Sequence, residues 1–416
     1  MLGNVRGLCL ESSKILDNER EMMSSSTTSS AIRPEDFLSA DTLLSDEERL
    51  IRDTVRSFVA DNVTPYVGEW FDQGRIPVEI APELGKLGLL GMHLEGYGCA
   101  GASATAYGLA CMELEAGDSG IRSLVSVQGS LAMYAIHRWG SEDQKNEWLP
   151  RMAAGEAIGC FGLTEPDSGS DPGSMRTKAR RDGTDWILNG QKMWITSGSI
   201  SEVAVVWCTT DEGVRGFVVP RGTPGFTTQD IKGKMSLRAS VTSELLLLDV
   251  RLPAEAMLPE ATSLRGPLSC LNEARYGIVW GAAGAARACF ESALSYSKER
   301  IQFDQPIASF QIVQERLAKM ALEVNRATLL AHQLGRLKDA GELRPEQVSM
   351  GKLGNVNAAL DVARSARQVL GANGVTLEYP VIRHMNNLES VVTYEGTADI
   401  HALVVGGSLT GIQAFR

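Results

Sequence analysis

The chain has 416 residues, 44% of them hydrophobic and 22% charged, with a formal net charge of -11. That length exceeds what one compact core holds, so two or three domains are expected. The acidic balance argues against non-specific nucleic-acid binding, and no apolar run approaches the ~18 residues of a membrane span. Seven scattered cysteines without a C-x-x-C pair predict reduced thiols. Five dispersed histidines without H-E-x-x-H point away from a metal centre.

Residues 1–38 read as a disordered tail, because the Ser/Thr run from Ser24 to Ser30 offers little to bury. Acidic residues offset the few basic ones there, which fits a transit peptide poorly. The ending Ala414-Phe415-Arg416 is not a peroxisomal Ser-Lys-Leu signal.

Residues 39–157 read as helical. Ser45 with Glu48, and Ser141 with Gln144, are capping-box starts. Ile51, Val55, Phe58 and Val59 follow helical spacing. Gly96 to Gly101 matches G-x-G-x-x-G, but neither a strand before it nor a βαβ unit after it is expected, so it reads as a plain loop.

Residues 158–262 read as a β domain. Asp182-Gly183 and Asn189-Gly190 are hairpin signals. Strand-like runs lie at Trp186 to Leu188, Val203 to Trp207, Gly216 to Val219 and Leu245 to Val250. Residues 263–416 return to long helices. Val313, Leu317, Met320, Val324, Ala327, Ala331 and Leu334 form a bundle seam, and Pro345 marks a helix start. Helix, sheet, helix in three blocks disfavours a doubly wound fold.

Four kinds of segment carry chemistry. Phe161 to Asp171 is a strand ending in a loop of hydroxyls, glycines and backbone N–H groups, able to bond a polar ring edge or a phosphate. Trp194-Ile195-Thr196-Ser197 offers a flat apolar wall beside a hydroxyl. Arg122-Ser123 stands in an apolar neighbourhood, where an unpaired guanidinium is costly. Its partner is either a ligand carboxylate or one of Glu113, Glu115 and Asp118. Thr393 to His401 sets Glu395 between a phenol and a glycine at a helix start, where a carboxylate can act as a base.

The Tyr394-Glu395-Gly396-Thr397 string resembles the catalytic segment of acyl-CoA dehydrogenases. Its continuation from His401 through Phe415 is similar to their glutaryl-CoA branch. Gly162-Leu163-Thr164-Glu165-Pro166 with Ser168-Gly169-Ser170-Asp171, the Trp194 segment, Arg300-Ile301-Gln302-Phe303 and Gln368 to Gly374 resemble that family's flavin-contacting segments. Ala372 stands where the family often has a second glycine.

The resemblance implies an all-α N-terminal domain, a central β-barrel domain and a C-terminal α-helical bundle. It implies FAD as cofactor. Phe161, Leu163, Thr164, Trp194, Ile195 and Thr196 would contact it, together with Thr397 and Asp399. Arg300, Phe303 and Gln311 would reach the FAD of a neighbouring subunit, and Gln368, Leu370 and Gly371 its adenosine diphosphate. Glu395 would be the catalytic base. Arg122 and Ser123 would clamp the distal carboxylate of glutaryl-CoA. Glu115, Ser170, Arg275, Tyr394 and Gly396 would complete the substrate site.

The implied reaction is oxidative decarboxylation of glutaryl-CoA to crotonyl-CoA and CO2, with an electron-transferring flavoprotein as acceptor. A homotetramer follows, in the cytoplasm of a bacterium or the mitochondrial matrix of a eukaryote. A non-decarboxylating glutaryl-CoA dehydrogenase, a short-chain acyl-CoA dehydrogenase or oxidase, and a binding protein without turnover stay open.

Overall fold

The computed structural model describes residues 32–414. The Ser24–Ser30 run lies outside them. Residues 32–38, placed in the tail by composition, are tied down instead. Arg33 pairs with Asp36 and with Asp41 at 2.6 Å, and the Leu38 N–H donates to Asn325 Oδ1 at 3.0 Å.

The first helical block runs through α1 (Asp46–Asn62), α2 (Val67–Gln73), α3 (Ile80–Lys86), α4 (Ala104–Gly117) and α5 (Ser119–Ser126). A π-helical run, Val127–Met133, then leads into α6 (Tyr134–Trp139) and α7 (Glu142–Ala153). Both expected capping boxes close, at Ser45 with Glu48 and at Ser141 with Gln144. The Gly96–Gly101 segment is a loop with no strand before it. π-Helical turns leave the regular bonding pattern and often mark functional segments. Here the buried Gln128 amide donates to the Met152 and Ala157 carbonyls and accepts from Gly159 N–H, joining the block to the sheet that follows.

Seven strands make that sheet: β1 (Gly159–Gly162), β2 (Lys178–Asp182), β3 (Asp185–Thr196), β4 (Val203–Thr210), β5 (Gly213–Pro220), β6 (Phe226–Asp230) and β7 (Thr242–Leu252). β4 carries β5 antiparallel on one edge, with β1 and the end of β2 parallel on the other. β3, β7 and β6 continue antiparallel from β2. No pairing among the described residues joins β5 to β6, so the central domain is a curled sheet with two free edges.

The Asp182-Gly183 turn joins β2 to β3 as expected. Asn189-Gly190 does not form a hairpin. It lies inside β3, where the register against β7 shifts between Leu188 and Gly190. Asn189 reaches across to Asp249, donating from Nδ2 and accepting from the Asp249 N–H. A Cβ at Gly190 would stand 2.5 Å from Thr177 Oγ1, so the glycine permits close strand contact rather than a turn.

The second helical block contains α8 (Arg265–Glu299), a two-residue hairpin of β8 (Ile301–Gln302) and β9 (Gln305–Pro306), then α9 (Gln311–Asp339), α10 (Pro345–Leu370), α11 (Val381–Val391) and α12 (Ala398–Thr410). Pro345 opens α10, where a missing N–H costs nothing. The α9 seam buries Met320, Val324, Ala327, Ala331 and Leu334. No described helix is long and apolar enough to cross a membrane. One apolar core runs from Val55 and Leu109 across to Tyr276, Trp280 and Ala331, so the two helical blocks share an interior. The buried face of α8 is where they meet, and the candidate site sits along it.

Candidate active site

The turn between α11 and α12 carries the site. Ala398 N–H donates to Val392 O at 3.1 Å, and Thr397 caps α12 by accepting from Ile400 N–H at 3.2 Å. Between them Glu395 adopts φ +53° and Gly396 φ +93°. A left-handed backbone is unfavourable for glutamate and persists only when its surroundings hold it. Arg275 on α8 supplies one hold, donating from Nε to the Glu395 carbonyl at 2.7 Å. Lys352 on α10 supplies another, donating to the Tyr394 carbonyl and, at 2.7 Å, to the Gly396 carbonyl. At Gly396 itself a Cβ would stand 2.9 Å from His401 Nε2, so any side chain there would collide with the ring beneath.

Arg122 approaches from α5 and is fully buried. Its Nε donates to Glu115 Oε2 at 2.6 Å, its Nη2 donates to the Tyr394 hydroxyl, and Ser123 Oγ lies 3.4 Å from that hydroxyl. The acidic neighbour left open by the sequence is therefore Glu115. Glu113 instead bonds Arg56 and Arg287, and Asp118 bonds Arg383. Glu115 fits because α8 has no side chain opposite it: a Cβ at Gly281 would stand 1.9 Å from Glu115 Oε2.

Thus Glu115, Arg122, Ser123, Arg275, Tyr394, Glu395 and Gly396 come together from α4, α5, α8 and the α11–α12 turn. Three buried atoms of the group have no partner among the described residues: Arg122 Nη1, Glu115 Oε1 and Glu395 Oε2. Buried polar groups are normally satisfied, and an unsatisfied cluster of both signs marks a place for a polar ligand. Burial raises the Glu395 carboxyl above its usual range, against the pull of Arg122, Lys352 and Arg275. Burial also pushes the Tyr394 phenol up to about 12, so it stays a neutral donor.

The β-domain candidates form a second group. Met193 N–H donates to Thr164 O at 2.8 Å, setting the loop after β1 beside the end of β3. The register shifts again between Lys192 and Ile195, and the intervening Trp194 takes φ +63° and is 55% exposed. Bulges re-aim side chains in this way. Phe161, Leu163 and Ile195 are buried in the core, Phe161 against Trp207 at 6.0 Å, so their side chains face away from solvent. Thr164 and Thr196 are half-buried and Ser170 is exposed.

The remaining candidates line the outside of the second helical block. Arg300 ends α8, Phe303 tips the β8–β9 hairpin at 87% exposure, Gln311 opens α9, and Gln368 is exposed near the end of α10. Leu370 belongs to the bundle core, leaving only its backbone and Gly371 to meet a ligand. Asp399 is exposed in the first turn of α12. None of these bonds to the Glu395 group among the described residues.

Lys352 and the buried His401 are site residues that sequence reading did not single out. A signal for the lysine existed: Val348, Lys352 and Val356 lie four apart along one buried face of α10.

Three family models match the chain: the acyl-CoA dehydrogenase N-terminal domain at residues 45–156, its middle domain at 160–250 and its C-terminal domain at 265–410. A short-chain specific acyl-CoA dehydrogenase of Bos taurus mitochondria is 34% identical over 380 residues, covering 90% of this chain and 92% of the relative. A crystal structure of glutaryl-CoA dehydrogenase from Mycobacterium smegmatis matches with TM-score 0.91 and 66% identity, over 92% of this chain and 99% of that one. Another from that organism, in complex with FADH2, matches with TM-score 0.91 and 60% identity, over 92% and 99%. A helical domain, a curled sheet and a helical bundle, all three matched in order, place this chain in the acyl-CoA dehydrogenase family.

Proposed function

We propose that the protein oxidises and decarboxylates glutaryl-CoA to crotonyl-CoA and CO2 with FAD as cofactor, passing electrons to an electron-transferring flavoprotein. The observation that carries this reading is that Arg122 Nη1 and Glu395 Oε2 are both buried without a partner among the described residues, and close enough for their charges to act on each other. One is a ready partner for a distal carboxylate and the other a carboxylate oxygen free to take a proton.

The residues fit a planar, polar-edged cofactor. The exposed Trp194 offers a flat wall, and the half-buried Thr164 and Thr196 supply hydroxyls from the adjoining segments. Arg300, Phe303, Gln311, Gln368 and Gly371 are exposed, as a cofactor shared between subunits of a tetramer requires. When bound, FAD supplies the hydride acceptor that no amino-acid side chain provides.

The chain's own residues supply the rest. Glu395 Oε2 takes the α proton, and its raised carboxyl makes it a stronger base once water is excluded. Positioned general bases are worth about 10²–10⁴ in rate. The Glu395 N–H donates to the thioester oxygen as charge develops there. Arg122 Nη1 and Ser123 hold the far carboxylate. Glu115 and Tyr394 orient Arg122. After CO2 leaves, Glu395 in its acid form returns a proton to the dienolate. Arg275 and Ser170 face the CoA portion. A cleft of about 290 Å³ is lined by Tyr134, Ser269, Asn272, Glu273 and Lys338, and Arg275 Nη1 donates to Asn272 Oδ1 at 3.4 Å, which supports an approach for that portion from this side.

A second reading has an observation of its own. Glu115 already neutralises Arg122, so a short-chain monoacyl thioester leaves no net charge unpaired there. Retention of glutaconyl-CoA without decarboxylation is the third outcome.

Anaerobic titration with glutaryl-CoA separates them. Bleaching of the flavin band with release of CO2 and crotonyl-CoA supports the proposal. Bleaching without CO2 gives the non-decarboxylating enzyme. Faster bleaching by butyryl-CoA gives the short-chain enzyme.

A further inference from the structure

Lys352 is fully buried and has no direct ion-pair partner among the described residues. Its ammonium instead meets two backbone carbonyls, those of Tyr394 and Gly396, and lies 5.6 Å from the Tyr394 ring centroid. Those carbonyls flank the one residue of the turn that is neither glycine nor relaxed. An unpaired ammonium in the interior is costly. It is tolerable here because Glu395 is close enough for their charges to act on each other.

We propose that Lys352 positions Glu395 as the base. Its ammonium clamps the peptides on either side of that carboxylate into the left-handed turn, and its charge holds the carboxylate ionised. This inference rests on the reading of Glu395 as the base.

The balance of charge around the carboxylate involves every element packed on it. Arg122 faces it from α5, Arg275 from α8 and Lys352 from α10. Glu115 opposes them from α4, Tyr394 is neutral, and the buried His401 ring on α12 is pushed down to about 3 by burial and so carries no charge. Arg122 is pinned by Glu115 and held ready for a ligand, and Arg275 is turned toward the Glu395 carbonyl. Neither Arg275 nor Lys352 has an ion-pair acid among the described residues, but Lys352 bonds the carbonyls on both sides of Glu395 and Arg275 only that of Glu395 itself. Burial pushes it down to about 7, so its charge is sensitive to its surroundings.

Two variants test this. Lys352→Met removes the hydrogen bonds and the charge, and Lys352→Gln keeps N–H donors without charge. Flavin reduction by glutaryl-CoA is followed anaerobically across pH, with FAD content, melting temperature and thioester affinity measured alongside. The expected result is FAD-loaded protein with affinity within about threefold of wild type and slower reduction near neutral pH. The loss is about tenfold for Gln and about 10²-fold for Met. In both, the rising limb of the rate moves up by about one pH unit, because a carboxylate that loses a neighbouring cation holds its proton more tightly. The Gln variant recovers its rate at high pH.

A folded, FAD-loaded Gln variant with an unmoved limb overturns the inference, leaving Lys352 a structural residue only. If neither variant folds or holds FAD, the lysine serves the fold and the inference falls. A Glu395→Gln control that reduces flavin at the wild-type rate overturns the base assignment itself and this inference with it.

Discussion

Glu113 and Glu115 stand two residues apart on α4, both buried, each beside an arginine. Glu113 is complete. Arg56 bonds both its oxygens at 3.0 Å, and Arg287 bonds them at 2.7 and 2.6 Å. The arginines hold its carboxyl down at about 2 despite burial. Among the described residues Glu115 is incomplete, with one oxygen bonded to Arg122 and the other free, and Arg122 is itself one donor short. Satisfied buried charge joins α1, α4 and α8 into one body, whereas unsatisfied buried charge costs stability unless something else completes it. The difference separates a structural ion cluster from the cluster proposed to receive a ligand, though both are built from the same residue types on one helix.

Substitutions should divide along that line. The largest effect belongs to the incomplete cluster: Glu395→Gln should lower flavin reduction about 10⁴-fold, the upper end for a positioned base, with FAD still bound. Stopped-flow flavin absorbance checks it. In the complete cluster, Arg287→Ala leaves Glu113 under-compensated and should cost about 3–5 kcal/mol of stability, read by denaturant unfolding. That contribution also has a pH signature. A depressed carboxyl stabilises above its ordinary value of 4.5 and loses the effect as pH falls toward about 2, so the wild type should lose this increment on acidification and the variant should not.

Next is the pH dependence of turnover. A raised carboxyl must lose its proton before it can act, so the reduction rate should climb about tenfold per unit below the Glu395 pKa and level off above it. A rate falling with rising pH over that range would contradict a carboxylate base. Smallest is Gly281→Ala. Its new methyl meets the Glu115 side chain, so Glu115 and Arg122 should shift and preference for glutaryl-CoA over butyryl-CoA should shrink by about tenfold at unchanged FAD content.

The fold was legible because local signals agreed with the global one. Two capping boxes, Pro345 and the α9 seam sit where the helices are. The Asn189-Gly190 signal misled because a turn dipeptide inside a paired strand is read by its cross-strand partners, here Thr177 and Asp249, which only the fold brings near. The Glu395 turn was legible as a string, but its support was not. Lys352 bonds backbone carbonyls 42 and 44 residues away, and such contacts leave no side-chain pattern to find. Phe161, Ile195 and Leu370 show the converse. Each belongs to a recognisable segment, yet the strand or helix period turns its side chain into the core.

The most direct test of the central claim is the ratio of flavin-reduction rates for glutaryl-CoA and butyryl-CoA in the wild type and in Arg122→Ala. If Arg122 Nη1 receives the ligand's far carboxylate, the wild type prefers glutaryl-CoA and the variant loses that preference by about 10²-fold, the cost of breaking a buried hydrogen-bonded charge pair. Equal losses for both thioesters would contradict the account, because Arg122 would then serve only to hold Glu115 and Tyr394 in place.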